Sequence, residues 1–296
     1  MKRSIPLLLL LAFAMCSQKP AADRAADHAD HMTAAAPAAN WAKQALERSP
    51  RHREWVNVKA GNRTVSAFVA YPEVKNKATA VVVIHEIFGM SDWVQLEADE
   101  LAAAGYIAIA PDLLSGMGPK GGGTSDFAAD NNAIGKAIRD LPPDQITSDL
   151  NAVADYVSKL PAANGKVAVT GFCWGGGESF RFATNRPSLA AAFVFYGPGP
   201  ESPEAIAAIK APVYGFYAGN DARIGATVPK TQELMKAAGK TYDVVTYEGA
   251  GHGFMRAGDA PPPPSDADQK TTEAYAGNKK ARDAAWIRWK GLLGKL

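Results

Sequence analysis

The chain has 296 residues, 47% of them hydrophobic, and a formal net charge of +2 at pH 7. That length suits one large α/β domain or two small ones. Basic residues are scattered, with no stripe or arginine-rich run, which argues against a nucleic-acid partner.

Met1-Lys2-Arg3, followed by an apolar run over residues 5–14, has the basic start and short apolar core of a secretory signal. It is too short to serve comfortably as a transmembrane span. Residues 1–16 therefore read as a signal peptide, with two processing readings open. Ala12-Phe13-Ala14 offers a small-x-small cleavage site that would release a soluble exported protein. Cys16, after the leucines, instead resembles a bacterial lipoprotein box and would become a lipidated first residue, although Met15 departs from the small residue that box prefers. The expected location is the bacterial periplasm or the cell envelope, with membrane contact only through an anchor at Cys16. Residues 17–45 show no hydrophobic period and read as a disordered linker. Its His28 and His31 read as solvated polar residues rather than a metal site.

Residues 46–296 read as the catalytic domain. Residues 55–59 and 64–71 alternate about Ala60-Gly61-Asn62-Arg63, the pattern of an antiparallel hairpin. Residues 80–84 form the continuous apolar run of a strand covered on both faces. A helix over 92–104 stops at Gly105, and a buried strand follows at 106–110. A helix over about 144–160 leads to a strand at 166–170, and another helix follows. Strands at 190–196 and 213–218, a helix over 227–238, a strand at 242–247 and a closing helix near 271–292 complete the chain. This order describes an α/β fold, a mostly parallel, doubly covered sheet with an N-terminal antiparallel hairpin.

Two segments imitate other functions. Gly116-Met117-Gly118-Pro119-Lys120-Gly121 satisfies G-x-G-x-x-G, but it runs on into Gly122-Gly123 rather than opening a helix. It reads as a mobile loop, not a dinucleotide site. Trp286 and Trp289, with Lys279, Lys280, Arg282 and Lys290 around them, read as a terminal amphipathic helix docking on the core rather than a membrane-surface helix.

The chemistry centres on Gly171-Phe172-Cys173-Trp174-Gly175-Gly176, a strand, a sharp turn and a helix with cysteine at the tip. Its glycines flank Cys173 where a nucleophile elbow cannot tolerate a Cβ. The chain has two cysteines, so Cys173 lacks an internal disulfide partner once Cys16 is removed or lipidated. An idle thiol in an oxidising compartment is a liability, which favours a working one. His252 is the only histidine after Cys173 and lies in the glycine-rich Gly249-Ala250-Gly251-His252-Gly253; Asp221 directly follows the apolar strand at 213–218. Nucleophile, acid and histidine thus occur in the order of an α/β-hydrolase triad. Cys173 would attack an ester carbonyl, His252 would shuttle the proton, and Asp221 would orient the imidazole. Trp174 N–H would be one oxyanion donor, and the loop His85-Glu86-Ile87-Phe88-Gly89 would supply the other. No motif calls for a cofactor or a metal.

His-Glu-Ile-Phe-Gly after one strand, Pro111-Asp112-Leu113 after the next, the cysteine elbow, and Ala-Gly-His-Gly-Phe-Met-Arg near the end together resemble the dienelactone hydrolase family, over roughly residues 50–290. The resemblance implies the α/β-hydrolase fold and hydrolysis of small esters or lactones. It implies that Glu86 contacts the resting thiol and helps deprotonate it when substrate arrives, and that Ile87 N–H is the second oxyanion donor. It also implies two arginines holding a substrate carboxylate. Arg256 matches one, whereas the other falls near Gly116, so dienelactone itself is not the expected physiological substrate. The expected partner is a small-molecule ester or lactone, and a monomer is expected. Two rivals remain: an envelope-tethered ligand-binding protein with an inactive hydrolase fold, and a redox-sensing thiol, which would lack a resolving cysteine.

Overall fold

The computed structural model describes residues 38–258 and 260–296. The expected signal peptide, the anchor at Cys16 and the expected linker through residue 37 lie outside these residues. The described chain belongs to the compact unit Ala38–Leu296.

Side-chain alternation builds the sheet. Every residue of β3 (Ala78–Ile84) is buried, and its side chains divide by parity. Ala80, Val82 and Ile84 join one apolar cluster, while Val81 and Val83 join another. A strand with two apolar faces needs cover on both sides. β3 runs parallel to β4 (Ile107–Pro111) and β5 (Ala163–Phe172), one on each side. β6 (Ala191–Phe195), β7 (Val213–Ala218) and β8 (Tyr242–Tyr247) continue in parallel beyond β5. At the other edge β1 (Arg53–Ala60) and β2 (Arg63–Ala70) form the hairpin, with Ala60 paired to Arg63, and β2 runs antiparallel to β4. The order of the eight strands is β1-β2-β4-β3-β5-β6-β7-β8. This is the mostly parallel sheet with an N-terminal antiparallel hairpin that the sequence predicts.

The helices are α1 (Ala38–Arg48), α2 (Asp92–Ala103), α3 (Asn131–Arg139), α4 (Pro143–Ser158), α5 (Trp174–Asn185), α6 (Pro203–Ala208), α7 (Ala222–Gly225), α8 (Val228–Ala237) and α9 (Gln269–Leu293). Residues of α1, α2 and α9 pack on one face of the sheet, and those of α3, α4, α5, α6 and α8 on the other. In α9, Trp289 is fully buried against Phe172, Phe193 and Phe195, with ring centroids 6.0, 6.1 and 4.9 Å away. Truncating such a residue to alanine costs about 3–5 kcal/mol. Trp286 is half-buried, edge-on to Trp289 at 5.1 Å. The terminal helix therefore docks on the core.

Two segments differ from the sequence reading. The expected linker extends to residue 45, whereas α1 begins at Ala38 and buries Trp41, Ala42 and Leu46 in the cluster that holds Phe68 and Trp93. The alanine-rich flank dilutes the hydrophobic period there, and only the tertiary contacts reveal the helical face. The sequence also passed over α3, in which Ile134 and Ile138 are buried and Asp130 accepts hydrogen bonds from Asn132 N–H and Ala133 N–H at 3.0 and 3.1 Å. Two apolar residues one turn apart are too few to declare a period.

One topological fact locates the site. From β3 the chain passes to β4 on one side, then crosses back to β5 on the other. The connections leaving β3 and β5 therefore diverge, and a crevice opens at the carboxyl ends of these strands.

Candidate active site

β5 ends at Phe172 and α5 begins at Trp174, leaving Cys173 between them at φ 57° and ψ −117°. A non-glycine residue at positive φ is strained and persists only where its surroundings enforce it. Cys173 N–H donates to Phe195 O at 3.0 Å, and Gly176 N–H donates to Cys173 O at 3.0 Å. Two glycines permit the turn. A Cβ on Gly171 would collide with the Gly175 carbonyl, and one on Gly175 would collide with the carbonyls of Ile84 and His85. The elbow therefore presses directly on the loop that leaves β3.

His252 reaches the same point from the loop after β8. Its Nε2 lies 3.0 Å from Cys173 Sγ, and its Nδ1 lies 2.5 Å from Asp221 Oδ2. Asp221 follows β7, and its other oxygen accepts Ile224 N–H at 3.2 Å. The two loops are tied together, since Asn220 N–H donates to Ala250 O at 2.8 Å. Gly251 N–H donates to Asn278 Oδ1 of α9 at 2.7 Å, which clamps the histidine loop from behind. Burial alone would push the His252 imidazole down, but hydrogen bonds to Asp221 and Cys173, and their charges, lift it to about 9. Burial pushes the Asp221 carboxyl up, yet its bonds to His252 and Ile224 and the charges of His252 and Arg223 hold it below the usual carboxylate range. The arrangement favours an imidazolium beside a sulfur atom.

Glu86 is paired with Arg256 rather than hydrogen-bonded to the thiol. It is buried, and its Oε2 lies 3.5 Å from Arg256 Nε, while the hydrogen-bond partner of the thiol is His252. A permanent cation attracts a buried carboxylate more strongly than a thiol does. Arg256 also lies over the Phe88 ring, 5.4 Å from its centroid. Burial works against its charge, but Glu86, Tyr196 and Cys173 together push the guanidinium pKa further up. The arginine expected to hold a substrate carboxylate is thus engaged with a carboxylate of the protein.

Ile87 and Trp174 stand at the two elements that meet at the elbow. The first N–H groups of a helix lack an intrahelical acceptor, which leaves Trp174 N–H available. His85, buried and stacked on Trp174 at 5.4 Å, joins these two elements. Its Nδ1 lies 2.8 Å from Glu86 O, so this nitrogen carries the proton. Burial pushes the His85 imidazole down and outweighs the opposing charge of Asp112.

Sequence reasoning missed Tyr196. It is fully buried at φ 40°, with its ring edge-on to His252 at 5.0 Å, and its hydroxyl has no hydrogen-bond partner among the described residues. Burial and then the nearby Glu86 charge push its phenol well above the usual range, so it stays protonated. Its place at the carboxyl end of β6, next to the elbow strand, was the available signal; the positive φ leaves none. Among the described residues no group of three or more His, Cys, Asp or Glu could hold a metal ion, and no helix is long and apolar enough to cross a membrane.

Sequence and fold are both similar to those of known proteins. The model of the dienelactone hydrolase family matches residues 65–296. A protein of Methylorubrum extorquens, provisionally named carboxymethylenebutenolidase, is 31% identical over 210 residues, covering 67% of this chain and 71% of its own. One of Saccharolobus solfataricus with the same provisional name is 30% identical over 262 residues, covering 78% of this chain and 94% of its own. A crystal structure from Klebsiella pneumoniae, described as a provisional dienelactone hydrolase, superposes with a TM-score of 0.68 at 25% identity, covering 83% of this chain and 99% of its own.

Proposed function

The chain belongs to the dienelactone hydrolase family, and from that premise we propose that this hydrolase cleaves small carboxylic esters or lactones through a cysteinyl acyl-enzyme. The observation that carries the reading is the chain Cys173–His252–Asp221, at 3.0 and 2.5 Å, on a strained elbow. His252 takes the thiol proton, and Cys173 Sγ attacks the carbonyl. Ile87 N–H and Trp174 N–H stabilise the oxyanion. The imidazolium then protonates the leaving alkoxide, and water, deprotonated by His252, cleaves the thioester and restores the thiol.

Arg256 binds an anionic group of the substrate in this reading. A substrate carboxylate that engaged Arg256 would compete with Glu86 and free it to act on the thiol. With Gly116 where a second arginine would stand, carboxylate substrates are held at one point only. The basic, leucine-rich start of the chain supports action in the cell envelope.

Cys173→Ala is expected to abolish turnover of p-nitrophenyl acetate, Cys173→Ser to retain little, and intact-mass spectrometry to detect an acetyl adduct on the native chain alone. Undiminished hydrolysis by Cys173→Ala would sink the reading. A binding protein with an inactive hydrolase fold would show neither turnover nor adduct.

A further inference from the structure

The glycine-rich segment after β4 follows no secondary-structure pattern, yet it closes on a single buried carboxylate. Asp112, 5% exposed, accepts Thr124 N–H at 2.7 Å, the Thr124 hydroxyl at 2.8 Å and Leu114 N–H at 3.1 Å. A Cβ on Gly123 would collide with this carboxylate, which explains glycine at that position. The outer side of the segment does not pack into the core. Gly116 and residues 121–123 instead line an open groove of about 790 Å³ with Trp55, Gln95 and Met90. Space filling therefore does not account for the segment, whereas its inner side makes a directional connection.

That connection runs from Asp112 to the oxyanion loop. Thr124 Oγ1 gives its single proton to Asp112, so it faces Met90 N–H only as an acceptor, at 3.1 Å. Its side chain sits so close to Gly89, at φ +68°, that a Cβ there would collide with it. Gly89 N–H in turn donates to Glu86 O at 3.1 Å, closing the turn around Ile87 and Phe88. One end of this turn is held by His85 stacked on Trp174, and the other end by Thr124. Hydrogen bonds to a charged group are stronger than neutral ones, and a chained pair stiffens both.

We propose that Thr124 is a positioning residue that holds the Ile87 N–H in the oxyanion site through Met90 and Gly89, and that the glycine-rich segment serves to deliver it there. The proposal rests on the reading of Ile87 as an oxyanion donor. Thr124→Val keeps the shape of the side chain and removes both hydrogen bonds of its hydroxyl. With p-nitrophenyl acetate it is expected to lower kcat about tenfold or more with KM little changed, since a misplaced donor weakens the transition state alone. Alkylation of Cys173 by iodoacetamide builds no oxyanion, so its rate should stay within about twofold of the native rate. Thr124→Ser, which keeps the hydroxyl, should recover most of kcat. Native kcat in a folded Thr124→Val variant overturns the proposal, as does a parallel fall in alkylation rate or failure of Thr124→Ser to recover activity. Hydrolysis that survives Cys173→Ala would instead overturn the acyl-enzyme reading, so the two failures are distinct.

Discussion

Glu86 Oε2 and Arg256 Nε lie 3.5 Å apart, with the Glu86 side chain 3% exposed and that of Arg256 23% exposed. The other oxygen of Glu86 is buried without a hydrogen-bond partner among the described residues, so the guanidinium is its principal compensation. Arg256→Met would leave an unpaired buried carboxylate, and breaking a buried pair from one side typically costs about 3–5 kcal/mol. Urea denaturation of Arg256→Met should show a loss of that order, and the double variant with Glu86→Gln should recover most of it. Absence of recovery would mean that the arginine stabilises through packing on Phe88 instead.

The raised His252 pKa sets both a stability window and an activity window. Its ordinary value is 6.5 and its folded value about 9. The stabilisation is fully present below about pH 6.5 and is lost as pH rises through about 9. In the proposed mechanism the imidazolium protonates the leaving group and is lost over the same range, so kcat/KM should fall above about pH 9. Asp221→Asn removes the carboxylate that lifts the imidazole and leaves burial to lower it. The descending limb of the pH profile should move to lower pH, with kcat reduced about 10⁴-fold. An unmoved limb would assign it to another group.

Asp149 adds a pH dependence of the same sign at lower pH, but from a charge that burial penalises. Its side chain is 1% exposed and lies 3.3 Å from Arg63 Nε. Burial outweighs that arginine and pushes the carboxyl from 3.8 up to about 6. Between these values the folded chain holds a proton that the unfolded chain releases, so rising pH costs stability, on the order of 3 kcal/mol in all. Asp149→Asn should flatten this slope and be at least as stable as the native chain at pH 7.5, measured by urea denaturation at pH 4.5 and 7.5. A variant that loses more stability at pH 7.5 than at pH 4.5 would contradict this account.

The domain edge can be tested by truncation. A chain starting at Ala38 retains α1, whereas one starting at Leu46, the boundary read from sequence, loses Trp41 and Ala42 from the core. Removing one large buried aromatic costs about 3–5 kcal/mol. Thermal unfolding should place the Tm of the shorter chain several degrees below that of the longer one. Equal Tm values would show that α1 contributes nothing to the domain.

Legibility followed the range of the interactions involved. Residues 80–84 and 213–218 were readable as strands because burial on both faces demands apolar side chains throughout. The elbow was readable because its constraint is local: glycine is required where a Cβ would strike a neighbouring carbonyl, and a cysteine stands between such glycines. The order Cys173, Asp221, His252 was likewise visible, since each residue follows a strand at its carboxyl end. In contrast, α1 and α3 carry too few apolar residues to declare a period, and Tyr196 reveals its strained backbone only in place.

The sequence by itself therefore determined the sheet, the elbow and the residue types of the candidate chemistry, because strand burial and turn sterics act within a few residues. Tertiary structure decided which partner each charged group took. Glu86 and Arg256 are far apart in the chain, as are Thr124 and Met90, and no local pattern encodes their pairing. Their geometry follows from the divergence of the chain at β3 and β5, which brings loops from separate parts of the sequence to one crevice. There, burial makes a missing partner costly, so the fold itself selects who pairs with whom.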